Sequence, residues 1–280
     1  MNTPKESIIE TITCPCGITF EWENEHAADP DQFWANFGRP AECPACTAAQ
    51  EAREDAAREL EGDRVAAEWV EAFRLKVIDS MPGLFGATNI DHPKFNRQAW
   101  GKIKLWEPTE EKPWAGFTGS TGGCKSRIAY LLALAELERL AKTRAPRGRS
   151  ELYGPGRAPS YIFTPSYRIT ETVMAQYGGK SGGGSRGFYD DRSPAQHARA
   201  WLDDLRDVNV LLIDDLGKGK LSPAAASEMF ALINHRHEYR MTTIWTANST
   251  PEEIAGCMTD DMAAPFAGRI NESSTIFKFK

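Results

Sequence analysis

Between Trp114 and Phe279 short apolar runs alternate with longer helical patterns, and this alternation restricts the fold more than any other feature. "WAGFTG" reads as a strand and "SRIAYLLALAELERLAK" as a strong helix. "SYIFTPS" is a second strand, followed by a short helix in "ITETVMAQY". "PAQHARAWLDDLRD" is a helix with Ser193 as N-cap and Pro194 in its first position. "VNVLLIDDLG" is a buried strand ending in acids, and "SPAAASEMFALINHRHEY" a helix capped by Ser222 with Pro223 at its start. "TTIWTANS" is a further strand, "PEEIAGCMTDDMAAPFAGRI" a broken helix and "STIFKF" a last strand. Such alternation predicts an α/β fold, a parallel sheet with helices on both faces. Sheets of this kind bind ligands at the carboxyl ends of their strands.

Three features fall at those ends. The first is "GSTGGCKS", residues 119–126, which fits the phosphate-binding pattern G-x-x-x-x-G-K-[ST] except that Cys124 stands for the last glycine. Gly119, Ser120, Thr121, Gly122, Gly123 and Cys124 would wrap an anion with backbone amides at a helix N-terminus. Lys125 would reach the β- and γ-phosphates, and Ser126 would hold Mg²⁺. The second feature is "VLLIDD", where Asp214 would orient the metal through its water shell and Asp215 would polarise an attacking water. The third is Asn248, placed to position that water or sense the γ-phosphate. A loop or cap role for each residue, taken singly, remains an alternative; in combination they point to ATP and Mg²⁺.

"GSTGGCKSRIAYLLA", "VLLIDDLGKGKLS", "FALINHRHEYRMTTIWTANST" and "FAGRI" together resemble the AAA+ ATPases, and within them the DnaC/IstB-type group of replicative helicase loaders and transposition helpers. The resemblance covers about residues 110 to 280. It implies a P-loop NTPase sheet of about five strands in the order 5-1-4-3-2, with ATP hydrolysed at subunit boundaries. It implies that Arg269, in "AGRI", is an arginine finger reaching a neighbouring copy, and hence self-association; such a finger is worth roughly 10³–10⁵ in rate elsewhere. An ordinary surface arginine at a helix end is the alternative. Two departures stand out. The sequence stops at Lys280, just after the last strand, so no C-terminal helical lid is expected. Cys124 replaces a glycine, which costs about 1–2 kcal/mol if the position demands positive φ.

Four of the six cysteines lie in the first 46 residues, as "TCPCG" and "ECPAC". Cys14 and Cys16 are separated from Cys43 and Cys46 by 26 residues. Two short cysteine turns joined by a loop supply the four tetrahedral ligands zinc prefers, and four thiolates leave no open position for catalysis. A structural Zn²⁺ is therefore expected, with His26 as a substitute ligand, a Cys43–Cys46 redox pair, or unpaired thiols as alternatives. The expected organisation is a zinc module over 1–50, a helical linker over 51–80 and an ATPase domain over 81–280. In the linker, Ala66, Trp69, Val70, Phe73 and Val77 form one apolar stripe. That stripe packs on the main domain or docks a partner.

Net charge is −6, which argues against a basic surface over the whole chain. Residues 141–192 are nevertheless locally basic, with nine Lys or Arg against four acids and seven interleaved aromatics. Charge and exposed rings suit single-stranded DNA; Arg168, Lys180 and Arg186 are the candidate contacts. A solvated linker whose aromatics are partly core is the alternative. No apolar run reaches a membrane span, and the first residues lack the apolar core of a secretory signal, so a cytoplasmic protein is expected. Three functions fit. A helicase loader would grip a hexameric replicative helicase and single-stranded DNA. A transposition helper would act on duplex DNA. A nucleotide-dependent adaptor would hydrolyse little, for which Cys124 is the evidence. The zinc module and missing lid favour the loader.

Overall fold

In a computed structural model the chain is described over residues 8–24, 40–93, 95–146, 158–177 and 193–279. The described residues divide into two compact units, up to Val65 and from Ala66 onward.

In the first unit, β1 (Ile8–Thr13) and β2 (Thr19–Asn24) form an antiparallel hairpin. Ile12 faces Phe20 and Glu10 faces Trp22 across it. The linking turn carries Cys14 and Cys16; Gly17 takes φ 89° there and donates its N–H to the Cys14 carbonyl at 2.8 Å. This hairpin is absent from the sequence-based expectation, because six-residue strands flanked by polar residues give little period-two signal. Helix α1 (Pro44–Ser80) begins between the second cysteine pair, and the boundary between units falls within it.

The second unit contains α2 (Gly83–Gly86), α3 (Arg97–Ile103), β3 (Trp114–Gly119), α4 (Lys125–Arg144), β4 (Tyr161–Pro165) and α5 (Ser166–Tyr177). It continues with α6 (Pro194–Asp207), β5 (Val210–Asp214), α7 (Pro223–Glu238), β6 (Thr242–Thr246), α8 (Pro251–Ala255), α9 (Asp260–Ser273) and β7 (Ser274–Phe279). The caps are those the sequence signals: Ser193 and Gln196 form a capping box, and the Ser222 hydroxyl accepts from Ala225 N.

The five strands are all parallel, in the order β4-β5-β6-β3-β7. Counted from β3 as the first, this is 5-1-4-3-2, the P-loop NTPase order of the AAA+ type that the resemblance implies. Side chains alternate across the sheet. Leu211 and Ile213 face one cluster with Ile169, Leu202, Met229 and Ile270 from α5, α6, α7 and α9. Val210 and Leu212 face the other, with Ile128, Leu132 and Leu137 of α4 and with Phe73 and Val77 of α1. The C-terminal part of α1 thus packs on this unit, its apolar stripe filling core positions. Each such fully buried side chain contributes about 1.5–3 kcal/mol.

Two contacts set the depth of the sheet's centre. At Gly116 a Cβ would lie 2.2 Å from Trp245 Cζ2, so only glycine leaves room for the indole, whose Nε1 donates to Ser274 Oγ at 3.0 Å. Arg236 is fully buried, and its Nη1 donates to the carbonyls of Leu205, Arg206 and Val208 at 3.0–3.1 Å. The last carbonyls of α6 therefore find a partner inside the protein.

Candidate functional site

The loop from β3 to α4 turns over the carboxyl edge of the sheet. It needs left-handed backbone at Gly119 (φ 129°) and Gly122 (φ 92°). Cys124 takes φ 64°, ψ 17° and stands immediately before α4. The cysteine therefore occupies the conformation that glycine adopts without cost, and the positive-φ condition raised from the sequence is met.

Three strand ends converge on this loop. Lys125 Nζ donates to the carbonyls of Gly119 and Ser120 at 2.8 and 2.7 Å and to Asn248 Oδ1 at 3.0 Å. The lysine is buried, and desolvation lowers its pKa against the opposing pull of Asp215 and then Asp214. Ser126 Oγ donates to Asp214 Oδ1 at 2.7 Å. Asp215 also lies in the left-handed region, at φ 57°, where aspartate is tolerated better than most residues. Its carboxylate pairs with Lys218 Nζ at 3.3 Å.

Two residues of this centre carry no sequence-based assignment. Thr246 Oγ1 donates to Asp214 Oδ1 at 2.6 Å and accepts from Asp215 N at 3.0 Å. Ser166 Oγ donates to the Asp215 carbonyl at 2.6 Å. Thr246 lies within the run "TTIWTAN", but a β-branched residue in an apolar strand reads as core.

An open cleft of about 380 Å³ lies over the loop, bordered by Thr121, Gly122, Lys125, Ser126, Asp215 and Asn248. Cys124 and Arg127 also border a second hollow of about 330 Å³, lined further by Ala87, Asn89, His92 and Phe95. The two spaces share Cys124 and Arg127 as bordering residues.

Arg269 is on α9 and does not border the cleft of its own chain. Its Nε donates to Asn234 Oδ1 at 3.2 Å, and Nη1 stands 3.8 Å from Glu272. Among the DNA candidates, Arg168 is exposed on α5 with its guanidinium 5.4 Å from the Trp201 ring centroid. Lys180 and Arg186 lie outside the described residues.

In the first unit, one sulfur from each of Cys14, Cys16, Cys43 and Cys46 lies within 4.8 Å of all the others. Cys16 Sγ and Cys43 Sγ are 3.7 Å apart. Tetrahedral zinc with bonds of about 2.3 Å needs sulfurs about 3.8 Å apart, so the donor set fits that ion. Backbone N–H groups of Cys16 and then Cys43 point at the Cys14 sulfur and bring its pKa down to about 7. The thiol of Cys46 is pushed up to about 12, first by Cys16 and then by Cys43 and Cys14. Four sulfur donors gathered this closely could hold a metal ion. His26 lies outside the described residues.

No family model matches the sequence, and no curated protein matches it. Solved structures with similar folds include the DnaI crystal structure, at 17% identity over 72% of this chain and 95% of that one, with TM-score 0.44. The crystal structure of the DnaC helicase loader aligns at 19% identity over 69% and 94%, also with TM-score 0.44. DnaA from Aquifex aeolicus bound to AMPPCP aligns at 12% identity over 66% of this chain but only 44% of that one, with TM-score 0.41. Among the described residues no helix is long and apolar enough to cross a membrane.

Proposed function

We propose that this chain binds and hydrolyses Mg²⁺-ATP at the β3–α4 loop and acts in DNA replication as a helicase loader. The observation that carries the nucleotide site is the meeting of Lys125 with Asn248 and of Ser126 with Asp214, at 3.0 and 2.7 Å, across residues 123 and 88 positions apart. Lys125 would exchange its carbonyl and amide partners for phosphate oxygens. Ser126 and Asp214 would hold the magnesium, which supplies charge neutralisation at the β- and γ-phosphates. Asp215 and Asn248 face the same cleft, where an attacking water would be polarised and positioned. The hollow at Ala87, Asn89, His92 and Phe95 shares Cys124 and Arg127 with the cleft and would take the base and sugar. Arg269, which does not border its own cleft, would give up its contacts with Asn234 and Glu272 to serve a neighbouring copy.

Titration of a fluorescent ATP analogue with Mg²⁺ tests the site. The wild-type chain should bind, and Lys125→Ala should lose at least about a hundredfold, as expected when a charged partner of phosphate is removed. Equal binding by both would remove the proposal.

The loader role rests on the resemblance of residues 110–280 and on the four-cysteine unit as a separate module that could grip a helicase. Replacing Cys43 and Cys46 should abolish co-elution with a hexameric replicative helicase and leave ATP binding intact. Filaments on duplex DNA without helicase would favour a transposition helper. Two observations favour a second possibility, an adaptor with little turnover: the left-handed Cys124 and the Asp215–Lys218 pair both stand where hydrolysis would occur.

A further inference from the structure

Thr246 closes β6 and is 1% exposed. The preceding strand positions are Ile244 and Trp245, also buried, so packing alone asks only for an apolar residue here. A buried hydroxyl is unfavourable unless its proton and a lone pair are both used. Both are used here, and by consecutive acids. The single hydroxyl proton goes to Asp214 Oδ1 at 2.6 Å, and the oxygen accepts from Asp215 N at 3.0 Å. The direction is unambiguous, because a backbone N–H only donates and Thr Oγ1 has one proton. The Thr246 carbonyl then accepts from Leu216 N at 2.7 Å. One residue therefore grips three successive positions at the end of β5.

We propose that Thr246 is a positioning residue for both acids of the nucleotide site, an inference that rests on the Mg²⁺-ATP site proposed above. Asp214 Oδ1 receives two donors, Ser126 and Thr246, which fills its two lone-pair directions and would leave Oδ2 for the water shell of a magnesium ion. Asp215 has left-handed backbone, which costs an aspartate less than most residues but is still held here from both sides. Its amide is held by Thr246 and its carbonyl by Ser166. Of the two hydroxyls on Asp214, that of Ser126 borders the cleft and would be shared with the metal, whereas that of Thr246 is enclosed in the sheet. Thr246 is thus the part of the arrangement that stays fixed whether or not a ligand is bound.

The test uses the full chain with Thr246→Val, which keeps volume and branching but removes the hydroxyl, and Thr246→Ser, which keeps the hydroxyl. The Mg²⁺ concentration that half-saturates binding of a fluorescent ATP analogue is measured beside the affinity for the same analogue in EDTA. Loss of a hydrogen bond to a carboxylate predicts a rise of roughly ten- to a hundredfold in half-saturating Mg²⁺ for the valine variant. Metal-free affinity should change less than about threefold, and serine should restore the wild-type value within that margin. Turnover at saturating Mg²⁺-ATP should fall in the valine variant with KM little changed. If valine does not fold, Thr246→Cys, a weak donor of similar size, takes its place with the same expected shift. Wild-type metal dependence in the valine or cysteine variant overturns the proposal, as does a serine variant as impaired as valine. A wild-type chain that binds no Mg²⁺-ATP overturns the nucleotide site itself, and this inference with it.

Discussion

Gly119 and Phe279, opposite one another at the ends of β3 and β7, leave no space for a side chain between them. A Cβ on Gly119 would lie 1.9 Å from the Phe279 carbonyl oxygen, and Gly119 has φ 129°. The start of the β3–α4 loop is thereby tied to the last strand. Gly119→Ala adds an overpacked methyl and a forbidden backbone angle, so it should destabilise by on the order of 3 kcal/mol. It should also weaken nucleotide binding, because β3 must move to relieve the contact. Denaturant unfolding checks the first effect; a loss below about 1 kcal/mol would show that the strand ends part easily.

Cys124 presents the opposite case, a side chain where glycine fits better. Its φ of 64° costs about 1–2 kcal/mol relative to glycine. Part of that is offset by the greater freedom glycine has in the unfolded chain. Cys124→Gly should therefore raise stability by about 1 kcal/mol and the melting temperature by roughly 2 °C. ATP affinity should change less than about threefold, a margin below 1 kcal/mol. A tenfold gain would mean that the thiol obstructs the proposed nucleotide site, whose cleft it borders.

The four gathered thiols predict metal-linked folding of the first unit. Protein purified without chelator should contain about one zinc per chain by elemental analysis. Removing it should unfold the hairpin and the turn before α1, visible as lost near-ultraviolet signal from Trp22. Nucleotide binding by the second unit should persist. Absence of zinc, or loss of both activities together, would count against an independent zinc module.

Arg236 predicts a stability effect remote from any site. Its side chain donates to four backbone carbonyls, those of Leu205, Arg206, Val208 and Thr242, and to Thr243 Oγ1. Arg236→Met should cost on the order of 3–5 kcal/mol, because buried acceptors would be left without partners. Thermal unfolding checks it; a change under 1 kcal/mol would mean that water takes over those carbonyls.

Much of the second unit was legible in residue order. Each strand and helix named from Trp114 to Phe279 forms, because period, caps and glycine punctuation act within a few residues of one another. Ser193–Pro194 and Ser222–Pro223 mark helix starts through local hydrogen bonds alone. The hairpin at Ile8–Asn24 and the short helix Arg97–Ile103 were not legible. The hairpin is turned at the first cysteine pair, and the helix starts on a side-chain cap at Asn96 in too short a segment to show a period.

For the site, the sequence by itself determined which residue types stand at the strand ends: a lysine and serine after a glycine loop, two aspartates after "VLLI", an asparagine after "TTIWTA". It also determined that four cysteines come in two close pairs. Only the tertiary structure decided that Thr246 holds both aspartates, that Trp245 requires Gly116, and that Cys124 carries the backbone of a glycine. These are contacts between strands distant in sequence, or backbone angles imposed by them. Chemical type and spacing along the chain are local, whereas close approach across a sheet exists only once the strands are in register.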